Sequence, residues 1–301
     1  MCEEEEKRVS KIKAYWWSPL HAPKLLAPEV LDNPLVWVRL FGRTGRLFKN
    51  FGDEMNRSVL QYVTGRDVVW APSNRAEVVA IGSILDLYLK NPGNAAVWGT
   101  GLRALPIPGS EARMRSELRT ILAVRGPRTA DALGVDPSVP IGDPGLLAPA
   151  LIDRTLVQRT SQVMFVPHFR VWHTREGRAE LAAARRRGIE IVPPNLHPVE
   201  VVRRLASARF VLSSSLHGVI VSHALGVPAQ LISVNDGGTE PGFKFQDYFE
   251  SVGASEGALP MPKDASALER IFAVREAEAP AIERAGARLA EGLMVAGQAL
   301  K

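Results

Sequence analysis

The chain has 301 residues, 46% of them apolar and 23% charged, and it carries a net charge of +5. That length suits about two domains of ordinary size, and the mixture of apolar and charged residues excludes wholesale disorder. The single cysteine, Cys2, excludes a disulfide framework and a thiolate metal cluster, and it fits a reducing cytoplasm.

No apolar run approaches the ~18 residues that a bilayer-spanning helix needs. The acidic opening MCEEEEKRVSK has no apolar core, so no signal peptide is expected. The positive balance suits an anionic substrate or an anionic membrane surface, although solvated arginine would give the same sum. The densest basic cluster, ARRRG at 184–188, closes a predicted helix, where the helix dipole favours positive charge in any case. Basic residues are not interleaved with aromatic ones, so nucleic acid is not an expected partner.

In chain order, NFGDEMNRSVLQYVTGR (50–66) predicts a helix with Gly52 and Asp53 ahead of it. Asp53 would either cap that helix or orient and deprotonate a substrate hydroxyl. VVWAP (68–72), VVAIGS (78–83) and AAVWGTG (95–101) read as strands. Gly99 and Gly101 would let the backbone approach a ligand closely, but the full dinucleotide fingerprint is missing. ILAVRG (121–126) is a further strand, followed by the helix PRTADAL with Pro127 in its first turn and Gly134 just past its end. Arg125 and Arg128 flank this junction, where two guanidinium groups would suit a phosphate or carboxylate, or simply face solvent. IGDPGLL (141–147) has the shape of a strand-end turn, with Asp143 as a turn former. PALIDRTLVQRTSQ (149–162) is the expected boundary, giving domains 1–155 and 156–301.

The second half repeats the grammar. VMFVPH (163–168), IEIVPP (189–194), RFVLSSS (209–215) and AQLISV (229–234) read as strands. Between them lie the helices REGRAELAAARRRG (175–188), PVEVVRRLASA (198–208) and LHGVIVSHALG (216–226). From Asp264 onward the chain is helical, with an interruption expected at Pro280. Strands alternating with helices at this spacing predict an α/β fold with mostly parallel sheets covered on both faces.

Ligands of such sheets gather at the carboxyl ends of strands, where helix N-termini offer free N–H groups to anions. His217 sits at such a junction with Ser213, Ser214 and Ser215 beside it. It is either an acid or base of an active site, or a core histidine beside capping serines. His168 and His197 also fall at a strand end or a helix start. Their spacings match no common zinc pattern, so an anion site without metal is the simpler expectation. His223 reads as a packing residue.

The segments NFGDE, WGTGL, VRGPRTADALG, GDPGLLAP, VPHF, SSSLHGVIVSHALGVP and FKFQDYF follow in this order over residues 50–249. Together they resemble the polysaccharide pyruvyl transferase family, in its bacterial exopolysaccharide branch. The resemblance implies two Rossmann-like domains facing a cleft, similar to the GT-B arrangement, with the first half on the acceptor side and the second on the donor side. It implies phosphoenolpyruvate as donor substrate, with no cofactor. The acceptor would be a sugar of a lipid-linked repeat unit, and the product a pyruvate ketal made in the cytoplasm, with peripheral contact at the inner membrane face.

By the same resemblance His217 is catalytic, as the acid that protonates the donor methylene or as the base on the acceptor hydroxyl; Asp53, through the hydroxyl role read above, is the second catalytic candidate. Arg125, Arg128, His168, Ser214, Ser215, Gly218, Lys244, Gly99 and Gly101 are the implied substrate-binding residues. Many family members carry arginine directly before the Leu-His pair, where this chain has Ser215. Arg125, Arg128 or Lys244 would then supply the missing charge. A GT-B glycosyltransferase using a nucleotide sugar is the alternative activity, because one architecture serves both.

Overall fold

The computed structural model describes residues 11–18, 38, 41–42, 49–235, 242–255 and 257–301. Among these residues ten strands form two five-stranded parallel sheets. The first contains β1 (Ile12–Tyr15), β2 (Val68–Trp70), β3 (Val78–Val79), β4 (Ala96–Trp98) and β5 (Thr120–Ala123), in the order β2-β1-β3-β4-β5. The second contains β6 (Val163–Val166), β7 (Glu190–Ile191), β8 (Phe210–Ser213), β9 (Ala229–Ser233) and β10 (Leu259–Pro260), in the order β10-β9-β8-β6-β7. Both are doubly wound: each sheet starts at an inner strand, runs one way, then reverses across it. The reversal falls between β1 and β3 in the first sheet and between β6 and β8 in the second. Those two switch points are where open α/β sheets bind ligands.

Parallel strands are covered on both faces, which is why their sequences are apolar runs and not alternations. Val78, Val79 and Val97 are fully buried in the first sheet, as are Phe165, Val166, Val211 and Leu212 in the second. The helices in chain order are α1 (Phe51–Thr64), α2 (Leu85–Tyr88), α3 (Glu111–Glu117), α4 (Pro127–Leu133), α5 (Arg175–Arg186), α6 (Pro198–Ser207), α7 (Leu216–Ala224), α8 (Phe243–Ser251) and α9 (Ala265–Gly297). Gly134 caps α4 in the left-handed region (φ 57°), as its place after the helix predicts.

Two differences from the sequence expectations have simple physical causes. The helix at 51–64 begins at Phe51, so Gly52 and Asp53 lie in its first turn and Asn50 is the cap residue. Asp53 thus meets the positive end of the helix dipole from within. Pro280 does not interrupt the last helix, which runs unbroken through 33 residues. Pro280 and Glu276 both face solvent, so the Glu276 carbonyl that loses its N–H partner is within reach of water. Phe272 and Ile282 are buried on either side of it and hold the helix down.

The two sheets share one core. Phe51, Met55 and Val59 of α1 are fully buried in a cluster that runs from Val78 and Val97 to Val166 and Val202. The Phe51 N–H donates to the Pro194 carbonyl at 2.7 Å, tying the start of α1 to the second sheet. In return, α9 leaves the second half and lies on the first sheet. There the Trp98 indole N–H donates to the Leu293 carbonyl at 3.0 Å, and Gly297 packs on Val63 and Trp98.

Candidate active site

Both switch points open into one cleft of about 100 Å³. From the first sheet it receives Trp17 after β1, Ser83 after β3 and Arg103 after β4, together with Asn50 and Asp53 at the start of α1. From the second come His168, Phe169 and Arg170 after β6, Ser215 and His217 after β8, and Lys244 of α8. Three helices present their first turns here: Asp53 is the third residue of α1, His217 the second of α7 and Lys244 the second of α8. None of the three has a side chain capping its N-terminus. Uncapped first turns leave backbone N–H groups and a positive dipole end for an anion.

His217 is only 8% exposed, and its Nε2 has no hydrogen-bond partner among the described residues. Its ring lies directly on Gly52, where a β-carbon would overlap Nδ1. The glycine of NFGDE is therefore required by contact between two helix starts, not by backbone conformation. Burial is the main cause that pushes the His217 pKa down to about 3, and Lys244, Arg125 and His168 push in the same direction. The imidazole is neutral at neutral pH. The cations that hold it down are of the kind an anionic ligand would neutralise.

Asp53, next in the chain to Gly52, is also buried and accepts a hydrogen bond from the Asn50 amide at 2.7 Å. Gly82 (φ 120°) passes so close that a β-carbon there would lie 3.3 Å from Asp53 Oδ1. Trp17 stacks on Phe169 with ring centroids 5.6 Å apart, and the Arg170 guanidinium lies 5.7 Å from the same phenyl ring. The Lys244 ammonium lies 5.0 Å from the Phe245 ring centroid.

Of the residues singled out from sequence, the cleft brings together His217, Asp53, His168, Ser215 and Lys244. The other six stand elsewhere. Arg125 is wholly buried behind the wall, donating to Asp247 at 2.9 Å, to the Leu102 carbonyl at 2.6 Å and to the Ser83 hydroxyl. Arg128 is at the surface, donating to Glu250 at 2.9 Å and to Gln246 at 2.6 Å. The side-chain space of Gly99 is filled by Pro144 and the Gly142 carbonyl, that of Gly101 by the Arg125 guanidinium, and that of Gly218 by Ser213 Oγ and Val166. These glycines admit protein, not ligand. The Ser214 hydroxyl accepts from the His168 N–H at 2.9 Å and so joins the turns after β6 and β8.

His197 caps α6, its Nδ1 accepting from the Val199 N–H at 3.3 Å. His223 is a packing residue, stacked on Tyr248 with Nδ1 3.1 Å from the phenol oxygen. Sequence reasoning missed Trp17, Asn50, Ser83, Arg103 and Arg170 in the cleft. Trp17 follows a strand of only four residues, and Arg170 stands two places after His168, the only signal it gave. Among the described residues no group of three or more His, Cys, Asp or Glu side chains is placed to hold a metal, and no helix is long and apolar enough to cross a membrane.

Comparison with known proteins agrees with the resemblance read from the sequence. The succinoglycan biosynthesis protein ExoV of Rhizobium meliloti (strain 1021) is 24% identical over 207 residues, which cover 68% of this chain and 62% of that protein. The chain thus spans less than two thirds of that relative's length. Among solved structures, the spinosyn rhamnosyltransferase SpnG complexed with thymidine diphosphate aligns over 91% of this chain and 81% of its own, at 14% identity and a TM-score of 0.36. The model of one family matches residues 50–236, well over half of the chain and every segment of the cleft except Trp17 and α8. The chain belongs to the polysaccharide pyruvyl transferase family.

Proposed function

We propose that this protein transfers the pyruvyl group of phosphoenolpyruvate to two hydroxyls of a sugar in an exopolysaccharide repeat unit, forming a ketal. The observation that carries this reading is the convergence of three uncapped helix starts, bearing Asp53, His217 and Lys244, on a cleft that also holds Arg170 and His168. Phosphoenolpyruvate brings a phosphate and a carboxylate, and this is the charge such a cleft accepts. Lys244 and Arg170 hold the two anionic groups, and the second half of the chain is the donor side.

Bound anions offset the cationic part of what depresses His217, although burial remains the larger part, so its proton affinity rises when the donor arrives. His217 then protonates the methylene carbon, which becomes the methyl group, and the central carbon becomes electrophilic. Asp53, on the first-half wall, takes the proton of the attacking sugar hydroxyl. The second hydroxyl displaces inorganic phosphate, which leaves with the second proton and closes the ketal. The net charge of +5 supports an acceptor presented at an anionic membrane face, where lipid-linked repeat units are built.

The test is release of inorganic phosphate from phosphoenolpyruvate, measured with and without a repeat-unit acceptor. Release that requires the acceptor is the expected result. His217→Ala should lower that rate by roughly 10²–10⁴-fold, the usual worth of a positioned acid or base, without unfolding the chain. A protein inert to phosphoenolpyruvate that consumes a nucleotide sugar would overturn the proposal in favour of glycosyl transfer.

A further inference from the structure

Arg125 and Asp247 form a wholly buried ion pair that joins residues 122 positions apart. Asp247 lies on α8, three residues after Lys244, so both project from adjoining turns of one short helix. Its carboxylate is fully used: Oδ2 accepts from the Arg125 guanidinium at 2.9 Å and from the Thr129 hydroxyl at 2.7 Å, and Oδ1 accepts from the Thr129 N–H at 2.9 Å. Gly126, at the start of α4, has no β-carbon because one would overlap the Asp247 carbonyl. Helix α8 therefore rests backbone against backbone on the turn between β5 and α4. Arg125 reaches from that turn to Ser83, which lines the cleft.

We propose that Asp247 is a positioning residue: by gripping Arg125 and Thr129 across the two halves of the chain, it fixes α8 on the first sheet and holds the Lys244 ammonium in the cleft. The pair does not touch the ligand. It sets where the cation of α8 stands relative to Asp53 and His217, which hang from other elements. The proposal rests on the reading of Lys244 as a donor ligand, and its test separates the two.

Lys244 is measured directly, by the rate at which an acylating reagent labels it in the protein alone, read by peptide mass spectrometry. In Asp247→Asn and Thr129→Val the lysine should label several-fold faster than in the wild type, while Thr129→Ser, which keeps the hydroxyl, stays near the wild-type rate. In the phosphate-release assay the same two variants should raise KM for phosphoenolpyruvate by about tenfold or more with a smaller fall in kcat, as for lost ground-state binding. Adding Lys244→Ala to Asp247→Asn should raise KM little further, because the two changes act through one group. If Asp247→Asn fails to fold, the contrast between Thr129→Val and Thr129→Ser decides. Folded variants with wild-type labelling of Lys244 would overturn the clamp. Absence of any phosphoenolpyruvate turnover in the wild type would overturn the donor reading and leave the labelling result to decide the clamp alone.

Discussion

The contact between Gly52 and His217 shows how one missing methyl group fixes a site. Glycine in the first turn of α1 costs helix stability, about 1 kcal/mol relative to alanine in a helix interior. That cost is accepted because a β-carbon would land on the imidazole. Two predictions follow from opposite signs of one substitution. In the wild-type background Gly52→Ala should destabilise the fold and lower turnover by about 10²-fold, as a misplacement near 1 Å does. In the His217→Ala background, where the ring is gone, Gly52→Ala should be neutral or stabilising by helix propensity. Urea denaturation of the four proteins reads the cycle, and additive effects would show that the contact does not constrain the histidine.

At the scale of elements, the buried ionisable groups govern how the packing responds to acid. His217 on α7 and His223 at its end each have a folded pKa near 3 against an ordinary 6.5, both chiefly from burial. The unfolded chain binds those two protons between pH 6.5 and 3, so their contribution falls as the pH falls through that window. Asp143, which caps the 3-10 helix Pro144–Leu151 through the Gly145 N–H, runs the other way. Burial raises it from 3.8 to about 6, and the folded state binds its proton first. Its contribution is present below 3.8 and is lost as the pH rises through 6. Within this set of three, two histidines against one aspartate leave one proton, which contributes about 1.4 kcal/mol of stability per pH unit between 4 and 6. Asp143→Asn removes the opposing group and should steepen the slope by about 1.4 kcal/mol per pH unit in urea melts taken across the window. A slope equal to the wild type would mean that Asp143 is ionised in the folded chain at acid pH.

These elements were legible in the sequence to different degrees. The strand–helix alternation, the Gly134 cap and the place of His217 at a strand-to-helix junction are local patterns, and the fold keeps them. β1 was not legible because IKAY is four residues long and lies far from the other strands of its sheet. The partner of Arg125 was not legible either, since nothing local tells a guanidinium that will bind a ligand from one that will meet Asp247 far along the chain. Both look like an arginine beside a Gly-Pro turn.

At the scale of the whole molecule, the doubled sheet pattern suggests two units that fold and move separately, and the packing argues against it. α1 lies between the sheets and is anchored to Pro194, α8 is held to β5 and α4 by the Arg125–Asp247 pair, and α9 returns to cover Trp98. One core cluster spans both halves. Each of these contacts would have to break before either sheet could unfold alone, so the chain should melt in one cooperative step. Calorimetric and van't Hoff enthalpies should agree, and the fluorescence of Trp98 in the first sheet and Trp172 in the second half should report one midpoint. The Trp98→Phe variant loses the bond to the Leu293 carbonyl and buried indole surface, about 1–3 kcal/mol, and should lower the single midpoint without splitting it. Two resolved transitions, with Trp98 and Trp172 changing at different temperatures, would show that the halves are energetically separate despite their shared core. The cleft would then be a hinge, whereas a single transition makes it a fixed seam whose chemistry depends on side chains placed before any ligand arrives.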